Sequence, residues 1–148
     1  MNLAEVASIS GKGGLFRIVS PTRSGVIVES LDGKKSRFVA NSNSRVSILK
    51  EISIYTHDED GSIPLEDVFA KIFDEFGADP GVGSTSSNEE LRSFMLHILP
   101  DHDQERVYFS DIKKLVSWYK ILLNIDAEAF VKKAEDNEAS EESEEESN

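Results

Sequence analysis

The sequence contains no cysteine. That absence excludes disulfides, thiol nucleophiles and thiolate metal sites together, and it fits a cytoplasmic chain. No stretch reaches the roughly 18 consecutive apolar residues a spanning helix needs, so no membrane segment is expected. The N-terminus has no basic patch followed by an apolar core and a small-residue cleavage site, so it does not read as a secretory signal. Catalytic signatures are missing as well. There is no Gly-x-Ser-x-Gly, and no acidic pair that the pattern sets in a cleft. The three histidines single out no constellation. The expectation is a non-enzymatic protein with no catalytic residue, no bound metal and no cofactor.

What is present is globular. Hydrophobic residues make up 39% of the chain, with eight Phe, three Tyr and one Trp. The net charge of −12 hides an asymmetry. Residues 1–50 carry eight Lys and Arg against three acids, whereas residues 51–148 carry eight against twenty-five. Such a split can mark a nucleic-acid face beside an acidic tail, or simply a solvated small barrel.

The first half is punctuated for short strands. Residues 2–9 read as a short helix capped by Asn2, which Ser10-Gly11-Lys12-Gly13-Gly14 breaks. Strands are expected at Leu15–Ser20, Val26–Leu31, Lys35–Ala40 and Glu51–Tyr55, with a strand or single turn at Val46–Leu49 and a tight turn at Asp32-Gly33. Five short strands suggest an SH3-like small barrel, too small to be secure unless it packs on the helices.

The second half has a helical period. Ser62 is read as the cap of a helix with Pro64 in its first turn and an apolar stripe from Leu65 to Phe76, ended by Gly77. Ser87-Asn88-Glu89-Glu90 is a capping box for a helix carrying Leu91, Phe94, Met95 and Ile98, stopped by Pro100. Ser110 or Asp111 caps a third helix with Ile112, Leu115, Val116, Tyr119 and Leu122 inward. A fourth helical piece is expected from Asp126 to about Ala134. Residues 135–148 hold eight acids and no base. Without aromatics or branched aliphatics they cannot offset the entropy of ordering, and disorder is expected.

Several motifs resemble sites and fail on context. Ser10-Gly11-Lys12-Gly13-Gly14 lies between helix and strand in the wrong order for a phosphate-binding Walker loop. Asp58-Glu59-Asp60-Gly61-Ser62-Ile63 matches the middle of an EF-hand loop. Its first ligand position is Thr56, its closing one Asp67, and a strand precedes it. Asp101-His102-Asp103 lacks a second His at helical spacing, and a solvated loop is expected.

The basic residues Lys12, Arg17, Arg23, Lys34, Lys35 and Arg37 fall on strands and turns of the β unit. Such surfaces can hold RNA or DNA, with cations on phosphates. The interleaved Phe16 and Phe38 are needed inside. Trp118 flanks the main stripe of the third helix and is a candidate partner-binding anchor.

Four segments carry a resemblance. Ile9-Ser10-Gly11-Lys12-x-Gly14-Leu15, Gly25-Val26-Ile27-Val28-Glu29-Ser30-Leu31, Ile52-Ser53-Ile54-Tyr55-Thr56 and Val107-Tyr108-x-Ser110-Asp111-Ile112-Lys113-Lys114 together resemble a Bacteroidota family known as a domain of unknown function. The resemblance spans about residues 1–125. It implies a small β N-terminal domain followed by a helical C-terminal domain, and it transfers no activity, cofactor or catalytic residue.

The sequence therefore predicts an α+β protein. An SH3-like barrel fills residues 1–57, three or four helices fill 58–134, and a disordered acidic tail fills 135–148. The expected function is RNA binding through the basic barrel. The alternative is a protein–protein adaptor using the helical half or the barrel edge.

Overall fold

The computed structural model describes residues 3–31, 35–41, 43–83 and 85–126. The Asn2 cap, the Asp32-Gly33 turn, Lys34, the expected fourth helical piece and the acidic tail lie outside the described residues.

A five-stranded antiparallel sheet is built from β1 (Val6–Ile9), β2 (Lys12–Pro21), β3 (Gly25–Ser30), β4 (Arg37–Asn41) and β5 (Val46–Ile48), in the order β4-β3-β2-β1-β5. A two-stranded ribbon follows, β6 (Ser53–Tyr55) against β7 (Ser62–Pro64). Three helices complete the fold: α1 (Leu65–Phe76), α2 (Asn88–Ile98) and α3 (Phe109–Asp126). The architecture is mixed α+β, with a β-rich first part and three helices after it. No closed barrel is found among the described residues.

Three sequence expectations change. The segment expected as a short N-terminal helix is a 3-10 turn at Leu3–Glu5 followed by β1. Val6, Ala7 and Ile9 are all buried because β1 lies between β2 and β5 and is covered on both faces. A strand buried twice shows a continuous apolar run, which periodicity alone cannot tell from a helix. The strand expected at Glu51–Tyr55 is the shorter β6. It pairs with β7 rather than extending the sheet. Ser62 is therefore not a helix cap; it lies in β7, and Pro64 is the residue before α1.

Three glycines shape the sheet. Between Ala7 and Ile9 the β1–β2 register slips: Ala7 faces Phe16 but Ile9 faces Lys12, so β2 accommodates extra residues there. Gly11 turns the hairpin at φ 83° and Gly14 sits in the bulged stretch at φ 81°, conformations that other residues adopt only with strain. Gly25 is needed for a different reason. A side chain there would overlap the carbonyl oxygen of Ala40 across the β3–β4 pair.

The sheet has two apolar faces. One gathers Ile9, Phe16, Val28 and Ala40 into a small cluster, where Phe16 meets Phe38 edge-on at 5.3 Å. The placement of both rings inward agrees with the sequence reading. The other face contributes Val6 and Leu15, which join Leu3, Leu49 and the helix stripes in the main core. Leu49 is 0% exposed at the point where the sheet hands over to the helices. Tyr119 is likewise sealed, packed near Phe69, and its hydroxyl donates to the carbonyl of Gly77 at the end of α1. Burial pushes the Tyr119 phenol up to about 12. The Ser87 capping box opens α2, as its sequence predicts.

Because Leu49 joins sheet and helices, Leu49→Ala should cost about 3 kcal/mol, transfer and cavity contributions combined. Urea unfolding followed by circular dichroism and by Trp118 fluorescence should show both signals shifting together to a lower midpoint. Two separated transitions would mean two independent cores.

Candidate nucleic-acid interface

The glycine-rich β1–β2 hairpin projects beside the first half of α3. Between them runs a cleft of about 360 Å³ lined by Ser8–Gly14 on one wall and by Lys113, Lys114, Ser117 and Trp118 on the other. Lys12 enters from the hairpin, and Lys113 and Lys114 from the second turn of α3. Among the described residues no Asp or Glu lines this cleft. None of the three lysines forms an ion pair among the described residues. The Lys12 ammonium stands 4.3 Å from the centroid of the Phe38 ring, a cation–π contact that restrains its position. A Cβ built on Gly11, Gly13 or Gly14 would meet no atom within 4 Å, so the space beside this main chain is open.

Local sequence explains the α3 wall. The carboxylate of Asp111 accepts the Tyr108 N–H at 2.9 Å, which satisfies a backbone donor at the start of the helix. With the helix start fixed there, Lys114 and Trp118 fall one turn apart on one face. They form a ridge, because both also line a second cavity of about 230 Å³ between α3 and the β6–β7 ribbon. Trp118 is partly buried and packs against the main core.

The six basic residues expected to make contacts are not gathered in one place. Lys12 alone reaches the cleft. Arg17, Glu29 and Arg37 face one another across β2, β3 and β4. Arg37 Nε donates to Glu29 Oε2 at 2.8 Å, and Arg17 Nη2 lies 3.9 Å from the same oxygen. Glu29 is lowered below the ordinary carboxylate range, first by the Arg37 hydrogen bond. Desolvation opposes the shift, and the charges of Arg37, Arg17 and Lys35 add to it. Lys35 adopts a left-handed backbone, φ 48°. Arg23 is exposed in the β2–β3 turn, and Lys34 lies outside the described residues.

The reading of the sequence missed Lys113 and Lys114 as contact candidates. Both sit in the acid-rich half, where bulk charge hides a local excess. The signal available was the adjacent lysine pair one turn before Trp118.

The other singled-out motifs resolve structurally. Asp58 closes the β6–β7 turn by accepting from Thr56 Oγ1 at 2.8 Å and from the Gly61 N–H at 3.1 Å. The segment is a ribbon turn, flanked by strands where a calcium loop needs helices. His102 is not in a solvated loop. It is 3% exposed, its Nδ1 lies 2.8 Å from the Leu99 carbonyl, and its backbone bridges Thr56. Among the described residues no group of His, Asp and Glu could hold a metal ion. No described helix is long and apolar enough to cross a membrane.

An open antiparallel sheet leading into three helices over a shared core defines a two-part α+β class, and known proteins share it. Two family models match: a domain of unknown function (DUF5606) over residues 3–49, and a domain of unknown function (DUF6852) over residues 52–122. The solution NMR structure of a Bacteroides vulgatus protein, from the Northeast Structural Genomics Consortium, is similar at a TM-score of 0.65. It shares 34% sequence identity, over 85% of this chain and 89% of that chain. The chain belongs to the family that this Bacteroides vulgatus protein represents, as the sequence resemblance to a Bacteroidota family implies. No curated protein matches.

The Glu29 cluster gives a pH test. A carboxylate lowered in the folded state contributes stability in full above its unfolded pKa, and that contribution is lost as pH falls through the folded value. Glu29→Gln should therefore lower the melting temperature at neutral pH. The gap to the native chain should close on acidification through and below the carboxylate range, measured by thermal melts at stepped pH.

Proposed function

We propose that this chain is a non-enzymatic, cytoplasmic binding protein that holds RNA in the cleft between the β1–β2 hairpin and α3. One observation carries the reading: three lysines from two opposed walls line a cleft on which no described residue places a carboxylate, in a chain of net charge −12. Acids outnumber bases 28 to 16, so surfaces of this chain tend toward negative charge and this one departs from the trend. Lysines bind phosphates as point charges, and the open glycine main chain lets a phosphodiester approach closely. The strand order, with β1 between β2 and β5, and the small apolar cluster on one face also support an SH3-like reading of the sheet.

A second reading keeps one observation of its own. Strand β4 is an edge strand, and its Val39 is 49% exposed. A protein partner could add a strand there, which would make the chain an adaptor.

Binding of a labelled single-stranded RNA should weaken steeply with salt. Replacing Lys12, Lys113 and Lys114 together by Ala should weaken it more than tenfold at low salt. It should also reduce the slope of log K against log salt by about 2, at roughly 0.7 per phosphate contact. Replacing Arg17 by Ala should leave that slope nearly unchanged. Removal of residues 135–148, whose eight acids compete for the same cations, should tighten binding. No binding at low salt by either the full or the shortened chain would end the proposal.

A further inference from the structure

We infer that the cavity on the far side of the Lys114–Trp118 ridge is a slot for a single unstacked nucleobase, so that the site takes single strands and rejects duplex. The inference rests on the RNA reading of the lysine cleft and deepens it. Lys114 and Trp118 line both cavities, so the two are separated by one ridge of side chains. A strand whose phosphates lie along the lysines has a base within reach of the second cavity.

The cavity's chemistry fits a base. Ile52, Ile54, Leu65 and Leu115 supply apolar walls, Tyr55 and Trp118 supply rings, and the carboxylate of Asp111, which accepts the Tyr108 N–H, supplies an acceptor for a base edge. Arg106 lies 5.2 Å over the Tyr55 ring, which aligns a guanidinium with an aromatic face at the rim. Bases stack on such surfaces whatever their identity. The volume of about 230 Å³ is smaller than the roughly 300 Å³ where pockets for whole small ligands begin. It suits one planar group. An A-form duplex keeps its bases paired and stacked and cannot deliver one here, whereas a single strand can. The cationic cleft next door favours a polyanion over a neutral apolar side chain as the source of that group.

Trp118 is the only tryptophan in the sequence, so its emission reports on the ridge directly. The full chain is titrated at low salt with a single-stranded oligoribonucleotide, with the duplex of the same sequence, and with inorganic polyphosphate. The single strand should quench Trp118 and bind at least tenfold more tightly than the duplex, while polyphosphate binds without quenching. Tyr55 is 49% exposed, so Tyr55→Ala should fold. It should weaken single-strand binding roughly tenfold, the cost of one lost stacking surface, and leave polyphosphate binding unchanged.

Equal affinity for strand and duplex, or a Tyr55→Ala variant that binds RNA like the native chain, overturns the slot and leaves the lysine cleft as a phosphate site alone. Failure of all three polyanions to bind overturns both. Quenching by an acidic, aromatic-containing peptide but not by RNA also overturns the slot, in favour of a protein partner.

Discussion

The five-stranded sheet cannot cover itself. Its inner cluster amounts to Ile9, Phe16, Val28 and Ala40, with a few half-buried neighbours, and a sheet of this size is marginal without a second layer. The opposite face of β1 and the start of β2 carry Val6 and Leu15, which stay dry only because helices lie on them. That one requirement fixes much of the rest. It places the Leu49 turn inside the core, brings α3 alongside β2, and leaves the bulged glycine hairpin overhanging the first turns of α3. The cleft is a by-product of covering an undersized sheet with a helix longer than the contact requires.

Charge follows the same geometry. On the sheet face that carries Val6, Glu29 is flanked across the strands by Arg17 and Arg37, so two cations share a carboxylate and the row keeps a modest excess of positive charge. At the hairpin no acid among the described residues intervenes. Lysines from both halves face one opening, and no carboxylate of the described residues lines it to relieve their mutual repulsion. Like charges held together cost free energy, and an anion entering the cleft removes that cost. A surface of this kind on an acidic chain is the feature on which the proposed polyanion site rests.

The sequence made some of this legible and hid the rest for identifiable reasons. The capping box at Ser87, the glycine ending α1 and the apolar stripes of the helices are local signals, and the helices stand where those signals put them. The inward placement of Phe16 and Phe38 followed from the small size of the unit. β1 was hidden because burial on both faces erases the alternation that marks a strand. Its identity depends on β5, nearly forty residues away in sequence. β6 reads as extended from its alternation, but its hairpin partner β7 is hidden because Ser62 and Pro64 carry the signature of a helix start. At the cleft, the sequence points to Lys12 and Trp118 for different roles. Only the fold shows that they share one opening, and it adds Lys113 and Lys114 from a half whose overall charge pointed the other way.

The handover between sheet and helices carries a last consequence. The two family matches meet at residues 49 to 52, inside a 3-10 turn whose Leu49 is sealed in the common core. A backbone nick at Lys50, which is exposed, would sever the polypeptide without removing any buried side chain. Each fragment alone would present a greasy surface to water, and the two would be expected to reassemble into a native-like heterodimer. The boundary between the two matches is thus a seam in the chain and no seam in the packing.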